Sequence, residues 1–157
     1  MELIKGIFKG RFLGHPIHLM IVHFPIAFFP MSAVLDLFSF FYEDKNLALF
    51  SFYAESAGVI FGWLALIFGT VDLLKISSKE KAFSVALIHG SLNLTWLIVF
   101  TVIAGIQIKF FPPIPVPGIT VIVIKFIVVA GILFSNFLGG ELLFKYEVVK
   151  KESSKKL

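Results

Sequence analysis

Four long apolar segments constrain what this chain can fold into. They span about residues 17–42, 53–74, 82–108 and 119–138. Because a helix of about 20 residues crosses the hydrocarbon core of a bilayer, each segment is long enough to form a transmembrane helix. Hydrophobic residues make up 58% of the sequence, and a water-soluble domain of 157 residues has no core large enough to bury them. The sequence therefore predicts an all-α integral membrane protein with a four-helix bundle.

The ends of the chain flank this apolar region with basic residues. We predict a basic N-terminal flank over residues 1–14, a four-helix transmembrane domain over 15–142 and a basic tail over 143–157. Two glycines in the flank, Gly6 and Gly10, disfavour a helix there. A simple flank is therefore preferred to a short interfacial helix.

Lysine and arginine are distributed unevenly among the ends and loops. The N-terminal flank and the 75–81 loop have three each, the tail from Lys145 has five, and the other two loops have one each. The positive-inside rule then places both termini and the 75–81 loop in the cytoplasm, in a multi-pass protein of the cell membrane. The net charge of +4 is concentrated in these regions, which favours contact with anionic lipid and not with nucleic acid.

Histidines are concentrated at one end of the predicted bundle. His15, His18 and His23 lie at the start of the first helix and His89 at the start of the third, so the predicted topology places all four on the cytoplasmic side. Neutral imidazole binds haem iron and divalent transition metals, and the chain has no cysteine to serve instead. On an ideal helix His23 points away from His18, so the first three converge only if the prolines of this stretch distort it.

Three interpretations of the histidines remain open. The first is a haem b site, with ligands and neighbours drawn from His18, His89, His15, His23 and Asn93. The second is a divalent transition-metal site, in a metal-binding or metal-transport protein, drawn from His15, His18, His89 and Asp72. In the third, an accessory or structural subunit binds no cofactor and its histidines cap helix ends. In the first two, Asn93 or Asp72 is expected to accept or donate a hydrogen bond at the ligand's second ring nitrogen.

A second polar group is predicted at the opposite, outer end of the bundle. It consists of Asp36, Glu55 and Lys125, each within an apolar segment. Ionisable residues at membrane depth usually face the bundle interior and pair with one another, so Lys125 is expected to pair with Asp36 or Glu55. A structural ion pair is preferred here to an ion pathway.

Small residues recur at helical spacing along the second and fourth helices. The two stripes comprise Glu55, Gly58, Gly62, Ala65, Gly69 and Asp72, and then Gly131, Ser135 and Gly139. Residues three and four apart share one helix face, and a face of small residues lets another helix backbone approach closely. Close helix packing is the preferred interpretation, and a flat cofactor would fit against the same face.

These motifs together resemble the bacterial and archaeal membrane family catalogued as domain of unknown function 2231. The motifs are Gly14-His15-Pro16-Ile17-His18, Phe24-Pro25-Ile26, Asp36, Gly69-Thr70-Val71-Asp72, His89 with Asn93, and Gly139-Gly140-Glu141-Leu142 with Tyr146. Two departures are Leu19, where members often have a second proline, and a first histidine that follows its glycine one residue earlier than in many members. The resemblance covers nearly the whole chain and implies four transmembrane helices but no activity.

Electron transfer is favoured on the strength of this resemblance, since some members of the family are joined to redox modules. The sequence contains no evident nucleophile–base pair, phosphate loop or paired general acid and base, so an enzyme is the least favoured class. The expected partners are the lipid bilayer and a redox partner protein, and the sequence leaves a homo-oligomer open.

Reporter fusions test the predicted topology. A fusion at Leu157 should report the cytoplasm and a fusion near Pro115 the outside, because one predicted span separates the two positions. Signals from the same side at both positions would contradict the four-span topology.

Overall fold

The structure is a computed structural model that describes residues 2–13 and 15–146. Gly14 of the first histidine motif and residues 147–157 of the predicted tail lie outside the described residues. The helices are α1 (Glu2–Phe8), α2 (Ile17–Ile21), α3 (His23–Tyr42), α4 (Lys45–Leu73), α5 (Lys81–Gln107) and α6 (Ile119–Phe144). Two short strands, β1 (Arg11–Phe12) and β2 (His15–Pro16), pair antiparallel, and a 3-10 turn covers Ile108–Phe110.

The predicted four-span, all-α architecture is confirmed. Four helical spans are long and apolar enough to cross a membrane, at Ile17–Tyr42, Lys45–Leu73, Lys81–Phe110 and Ile119–Phe144. Helices that follow one another in the chain pack side by side, and α6 also packs against α3, so the spans form a closed ring. In this ring the first span lies diagonally opposite α5.

The first span is interrupted near its start, between α2 and α3. Proline has no N–H, so Pro25 cannot donate the helical hydrogen bond to the carbonyl of Ile21. The interruption is limited to Val22, whose N–H still donates to the carbonyl of His18 over 3.0 Å. Pro30 lies inside α3 without ending it. The prolines therefore divide the histidine stretch between the short helix α2 and the start of α3. This is the kind of distortion without which the first three histidines could not converge.

Two helices are longer than the sequence predicted. The expected connection over residues 43–52 was wrong, because α4 begins at Lys45 and leaves only Glu43 and Asp44 in the turn. The Asp44 side chain accepts a hydrogen bond from the N–H of Asn46 over 2.7 Å, which is the interaction of a helix N-cap. At the other end of the chain, α6 continues past residue 138 to Phe144.

The N-terminal segment is folded, so the preference for a simple flank was wrong. Both of its glycines have a structural role there. A Cβ at Gly6 would lie 3.1 Å from the carbonyl oxygen of Arg11, and Gly10 has a φ of +71°, which glycine adopts without a steric cost. Lys75 donates to the carbonyl of Lys9 over 2.8 Å, which fixes this segment against the end of α4. The glycines thus allow a close turn after α1 and do not prevent the helix.

The bundle interior is layered along its length. Its middle layer is apolar and consists of Phe29, Ala33, Leu97, Phe100, Val128, Val129 and Ile132. Phe29 and Phe100 stack face to face across this layer, with ring centroids 4.0 Å apart and planes inclined by 8°. The predicted histidine and carboxylate groups lie on opposite sides of this layer along α3, where Phe29 is between His23 and Asp36.

The small stripes of α4 and α6 face inward, but they receive side chains and not helix backbones. A Cβ at Gly58 would lie 2.7 Å from the ring of Phe29, one at Gly62 would lie 2.7 Å from Leu97, and one at Gly131 would lie 2.5 Å from Trp96. The expected close approach of backbones is therefore not the reason for these glycines. They make room for large side chains of the first span and of α5.

Alanine at Gly58 should destabilise the bundle. The new methyl group has to displace the buried, stacked ring of Phe29, and overpacking of this kind costs about 1–3 kcal/mol. Gly105 on α5 is the matched control, because nothing lies within 4 Å of its Cβ position. Thermal unfolding in detergent should show a lower transition temperature for Gly58→Ala and an equal or higher one for Gly105→Ala. Equal transitions for both variants would contradict this packing.

Candidate functional site

A cavity of about 440 Å³ lies at the histidine end of the bundle. This volume is in the usual range for small-molecule and cofactor sites, roughly 300–1,000 Å³. All four spans contribute to its walls, which are mainly apolar, and Phe29, Leu97 and Ile132 of the middle layer also line it. The polar groups in the walls include His18, His23, Asp72, His89, Asn93 and Asn136.

His18 is held by the neighbouring span. Its Nδ1 lies 2.8 Å from the main-chain carbonyl oxygen of Ala65 on α4. A carbonyl oxygen only accepts hydrogen bonds, so Nδ1 is the donor, and in the neutral tautomer that makes this bond the lone pair of the ring is at Nε2. Gly69, one helical turn after Ala65, lies beside the ring, and a Cβ there would be 3.0 Å from Cε1 of His18.

His89 has the same arrangement on the other side of the bundle. Its Nδ1 lies 2.7 Å from the main-chain carbonyl oxygen of Ser135 on α6. Gly139, again four residues after the acceptor, lies beside the ring, and a Cβ there would be 2.9 Å from Cε1 of His89. A carbonyl followed by a glycine one turn later therefore orients each of the two imidazoles.

The two imidazoles belong to one site. They come from diagonally opposite spans, and both line the cavity. With Nδ1 donating to the main chain, the nitrogen left for a ligand on each ring is Nε2. Imidazole ligands of metals characteristically donate their other N–H to a carboxylate, a carbonyl or water in this way.

Of the two side chains expected beside the histidine ring nitrogens, Asn93 lies within hydrogen-bond distance of His89 and Asp72 does not contact a histidine. Asn93 donates to the Ser135 hydroxyl over 2.8 Å and to the His89 carbonyl over 3.0 Å. Its amide nitrogen is 3.3 Å from both ring nitrogens of His89, a position over the ring face. Asp72 forms an ion pair with Lys75 over 2.6 Å. Asn93 thus fixes the surroundings of His89, and main-chain carbonyls fix the tautomers.

The other two histidines have different positions. His15 lies in β2, has an exposed side chain and does not line the cavity. His23 lines the cavity at the start of α3 but is also exposed. Among residues 2–13 and 15–146, no three histidine, aspartate or glutamate side chains are grouped so that they could hold a metal ion. The structure therefore does not bring together His15, His18, His89 and Asp72.

Other wall residues offer further contacts to a bound molecule. The side-chain nitrogen of Asn136 is buried and has no hydrogen-bond partner. Gly90 and Gly140 also line the cavity, and nothing lies within 4 Å of their Cβ positions. A bound molecule can use this free donor and this open space. The only sequence signal for the carbonyl partners is the small-residue spacing of Ala65 with Gly69 and of Ser135 with Gly139.

The carboxylate group forms a buried charged cluster beyond the middle layer. Lys125 Nζ lies 2.5 Å from Asp36 Oδ2 and 2.6 Å from Glu55 Oε2, and all three side chains are 0% exposed. The sequence led us to expect one of the two carboxylates as the partner, and the structure joins Lys125 to both. Lys125 Nζ is also 3.5 Å from the hydroxyl of Ser51.

The fold and these two buried groups define a four-span integral membrane protein with a histidine-lined cavity towards one end. The sequence profile of the family described as "Predicted membrane protein (DUF2231)" matches residues 14–152, and the chain belongs to this family. No curated protein and no solved structure matches the chain. Since the family description gives the lipid bilayer as the setting and no activity, a functional proposal has to be built from the site itself.

Loss of the cation of the charged cluster should destabilise the protein strongly. Lys125→Leu leaves two carboxylates without a counter-charge, and removing one partner of a buried ion pair costs about 3–5 kcal/mol. The double variant Lys125→Leu, Asp36→Asn removes one of these carboxylates and should regain much of that stability. Thermal unfolding in detergent compares the single variant, the double variant and wild type. A double variant no more stable than Lys125→Leu would contradict the pairing with Asp36.

Proposed function

We propose that this protein binds haem b in its cavity, with Nε2 of His18 and Nε2 of His89 as the two axial ligands, and that it transfers electrons at the membrane. The observation that carries the proposal is the matched environment of the two imidazoles. Each comes from one of two diagonal spans, donates Nδ1–H to a main-chain carbonyl, and leaves Nε2 for the cavity. Cofactor sites of helix bundles are built in this way from side chains of facing helices.

The chemistry of the donor set fits haem iron. Two neutral imidazoles are a common axial pair, and the hydrogen bond at each Nδ1 raises the basicity of the ring as a ligand. The chain contains no cysteine, so a haem attached through thioether bonds is excluded and a non-covalent haem b is the form that fits. When bound, the haem would supply a one-electron couple.

The walls fit a flat, largely apolar molecule. Phe29, Leu97 and Ile132 give the cavity an apolar floor, which excludes water from that side. Gly90 and Gly140 leave open space along the walls, where a larger residue would fill the cavity. The unpaired amide nitrogen of Asn136 can donate to an acceptor on the bound molecule.

Two side-chain ligands favour electron transfer over the binding of a small substrate at the iron. With two imidazoles of the protein as its ligands, the iron would not be open to oxygen or another small molecule. In the topology predicted from the basic loops, the cavity lies towards the cytoplasmic side of the cell membrane, and a redox partner protein would approach from there.

A divalent metal site is less well supported by the geometry. His15 lies outside the cavity, and Asp72 is already paired with Lys75. Two imidazoles alone leave a transition metal with fewer protein ligands than the three or four usual for zinc. Metal analysis nevertheless belongs in the same experiment, because it separates this alternative from haem and from a protein without cofactor.

Single histidine variants test the haem proposal. Protein purified in detergent, from cells supplied with haem precursors and metals, should contain about one haem per chain with a bis-imidazole absorption spectrum. His18→Ala and His89→Ala should each lose most of this haem while still folding, because either change removes an axial ligand. His15→Ala is the matched control and should keep the full content. Wild-type protein without haem, or full haem in both ligand variants, would overturn the proposal.

A variant that keeps both histidines but disturbs the orientation of one of them provides a second test. Gly69→Ala places a methyl group 3.0 Å from the ring of His18 and should turn this ring away from Ala65. Loss of such an orienting contact typically weakens metal binding about 10–100-fold, so haem affinity should fall by a factor in that range. Gly105→Ala, whose Cβ position is open, should bind haem as wild type does.

A further inference from the structure

The cluster of Asp36, Glu55 and Lys125 has one carboxylate more than its single cation can balance. All three side chains are 0% exposed, and each comes from a different span, namely α3, α4 and α6. With both carboxylates ionised, the cluster has a net negative charge in a region shielded from solvent. A buried charge without compensation is costly, and such a group becomes neutral where it can.

Hydrogen bonds do not compensate this charge. Asp36 Oδ1 and Glu55 Oε1 are buried and have no hydrogen-bond partner, and Glu55 Oε2 has only its ion pair with Lys125. The nearest hydroxyl groups direct their protons elsewhere, since Ser51 donates to the carbonyl of Ser32 over 2.9 Å and Ser39 donates to the carbonyl of Asp44 over 2.8 Å. Lys125 is the donor that contacts the two carboxylates, and it already lies against one oxygen of each.

We propose that the cluster is a proton-binding site, in which Asp36 and Glu55 hold one exchangeable proton between them and Lys125 balances the remaining carboxylate. The proton comes from water, forms an O–H bond at one carboxylate oxygen, and returns to water when that bond breaks. The neutral carboxyl group then supplies a donor, and the oxygens without partners are its possible acceptors. The protonated cluster is electrically neutral, as a site inside a membrane requires.

Among the described residues, no other titratable group of the neighbouring helices faces the cluster. On α5, the titratable side chains are Lys81 and His89, and both lie towards the histidine end. The neighbouring titratable groups of α4, Lys45 and Tyr53, have exposed side chains. The three members of the cluster therefore determine its protonation among themselves.

Among the described residues, the two sides of the cluster differ in polarity. Towards the cavity, the apolar middle layer with its stacked Phe29 and Phe100 separates the cluster from the histidines. In the other direction, Ser39 lies one turn beyond Asp36 and its hydroxyl reaches Asp44 in the turn between α3 and α4. The cluster is therefore expected to exchange its proton with water at the α3–α4 turn, and this assignment does not depend on haem in the cavity.

Infrared spectroscopy tests the site directly, because a protonated carboxyl group has a C=O stretching band that an ionised carboxylate lacks. Wild-type protein at neutral pH should show one such band, which disappears as the pH is raised. Glu55→Gln and Asp36→Asn should each abolish the band, because either leaves one carboxylate paired with Lys125 and no excess charge to neutralise. Both variants keep the cluster neutral, so both are expected to fold.

Two further variants complete the test. Lys125→Leu should double the band, since both carboxyl groups then need a proton. Glu141→Gln is the control, because Glu141 lies towards the histidine end and pairs with the exposed Lys145, and it should leave the band unchanged. A wild-type protein with no carboxyl band at neutral pH would show that both carboxylates are ionised and would overturn the proposal. A band that persists in both Glu55→Gln and Asp36→Asn would overturn it as well.

Discussion

The hydrocarbon core of a membrane contains no water, so a polar side chain inside it has to find its partners within the protein. This constraint orders the whole bundle. The polar groups of the four spans collect at two levels, the histidines at one and the charged cluster at the other. Between them lies an apolar layer centred on the stacked rings of Phe29 and Phe100. Each level draws on several spans, and the contacts at both levels therefore also hold the spans together.

The hydrogen bonds of the two imidazoles to neighbouring helices depend on glycines in those helices. An imidazole can reach a main-chain carbonyl of a neighbouring helix only where the facing surface has no side chain in the way. Gly69 and Gly139 meet this need for His18 and His89 respectively, and a Cβ at either position would lie within 3.0 Å of the ring. The interruption at Val22 contributes as well, since it separates α2, which packs against α4, from the rest of the first span.

The sequence was sufficient for the number of spans and for the separation of polar groups into two levels, because hydropathy and span direction determine both. Its failures have physical causes. Main-chain carbonyls occur at every residue, so the sequence offered only the spacing of small residues as a sign that Ala65 and Ser135 are the partners of the imidazoles. Glycine lowers helix propensity, but at Gly6 it also allows close contact with Arg11, and that tertiary contact decided the fold of the N-terminal segment. Spacing along a helix likewise could not show that β2 places His15 outside the cavity.

The histidine site and the charged cluster each have a different chemical need. The first has ring nitrogens free to bind a ligand, the second has excess negative charge, and their proposed roles differ for this reason. At the histidine level, each Nδ1 is hydrogen-bonded to a main-chain carbonyl, and Nε2 is the ring nitrogen left for a ligand at the mainly apolar cavity. The two ring nitrogens can bind an electron-pair acceptor, and haem iron is the acceptor proposed here. At the cluster, the imbalance is an excess of negative charge and a shortage of donors. A proton supplies both a positive charge and a donor, and no cavity is needed to admit it. Because the apolar layer lies between the two levels, each proposal rests on its own residues, and the failure of one would leave the evidence for the other unchanged.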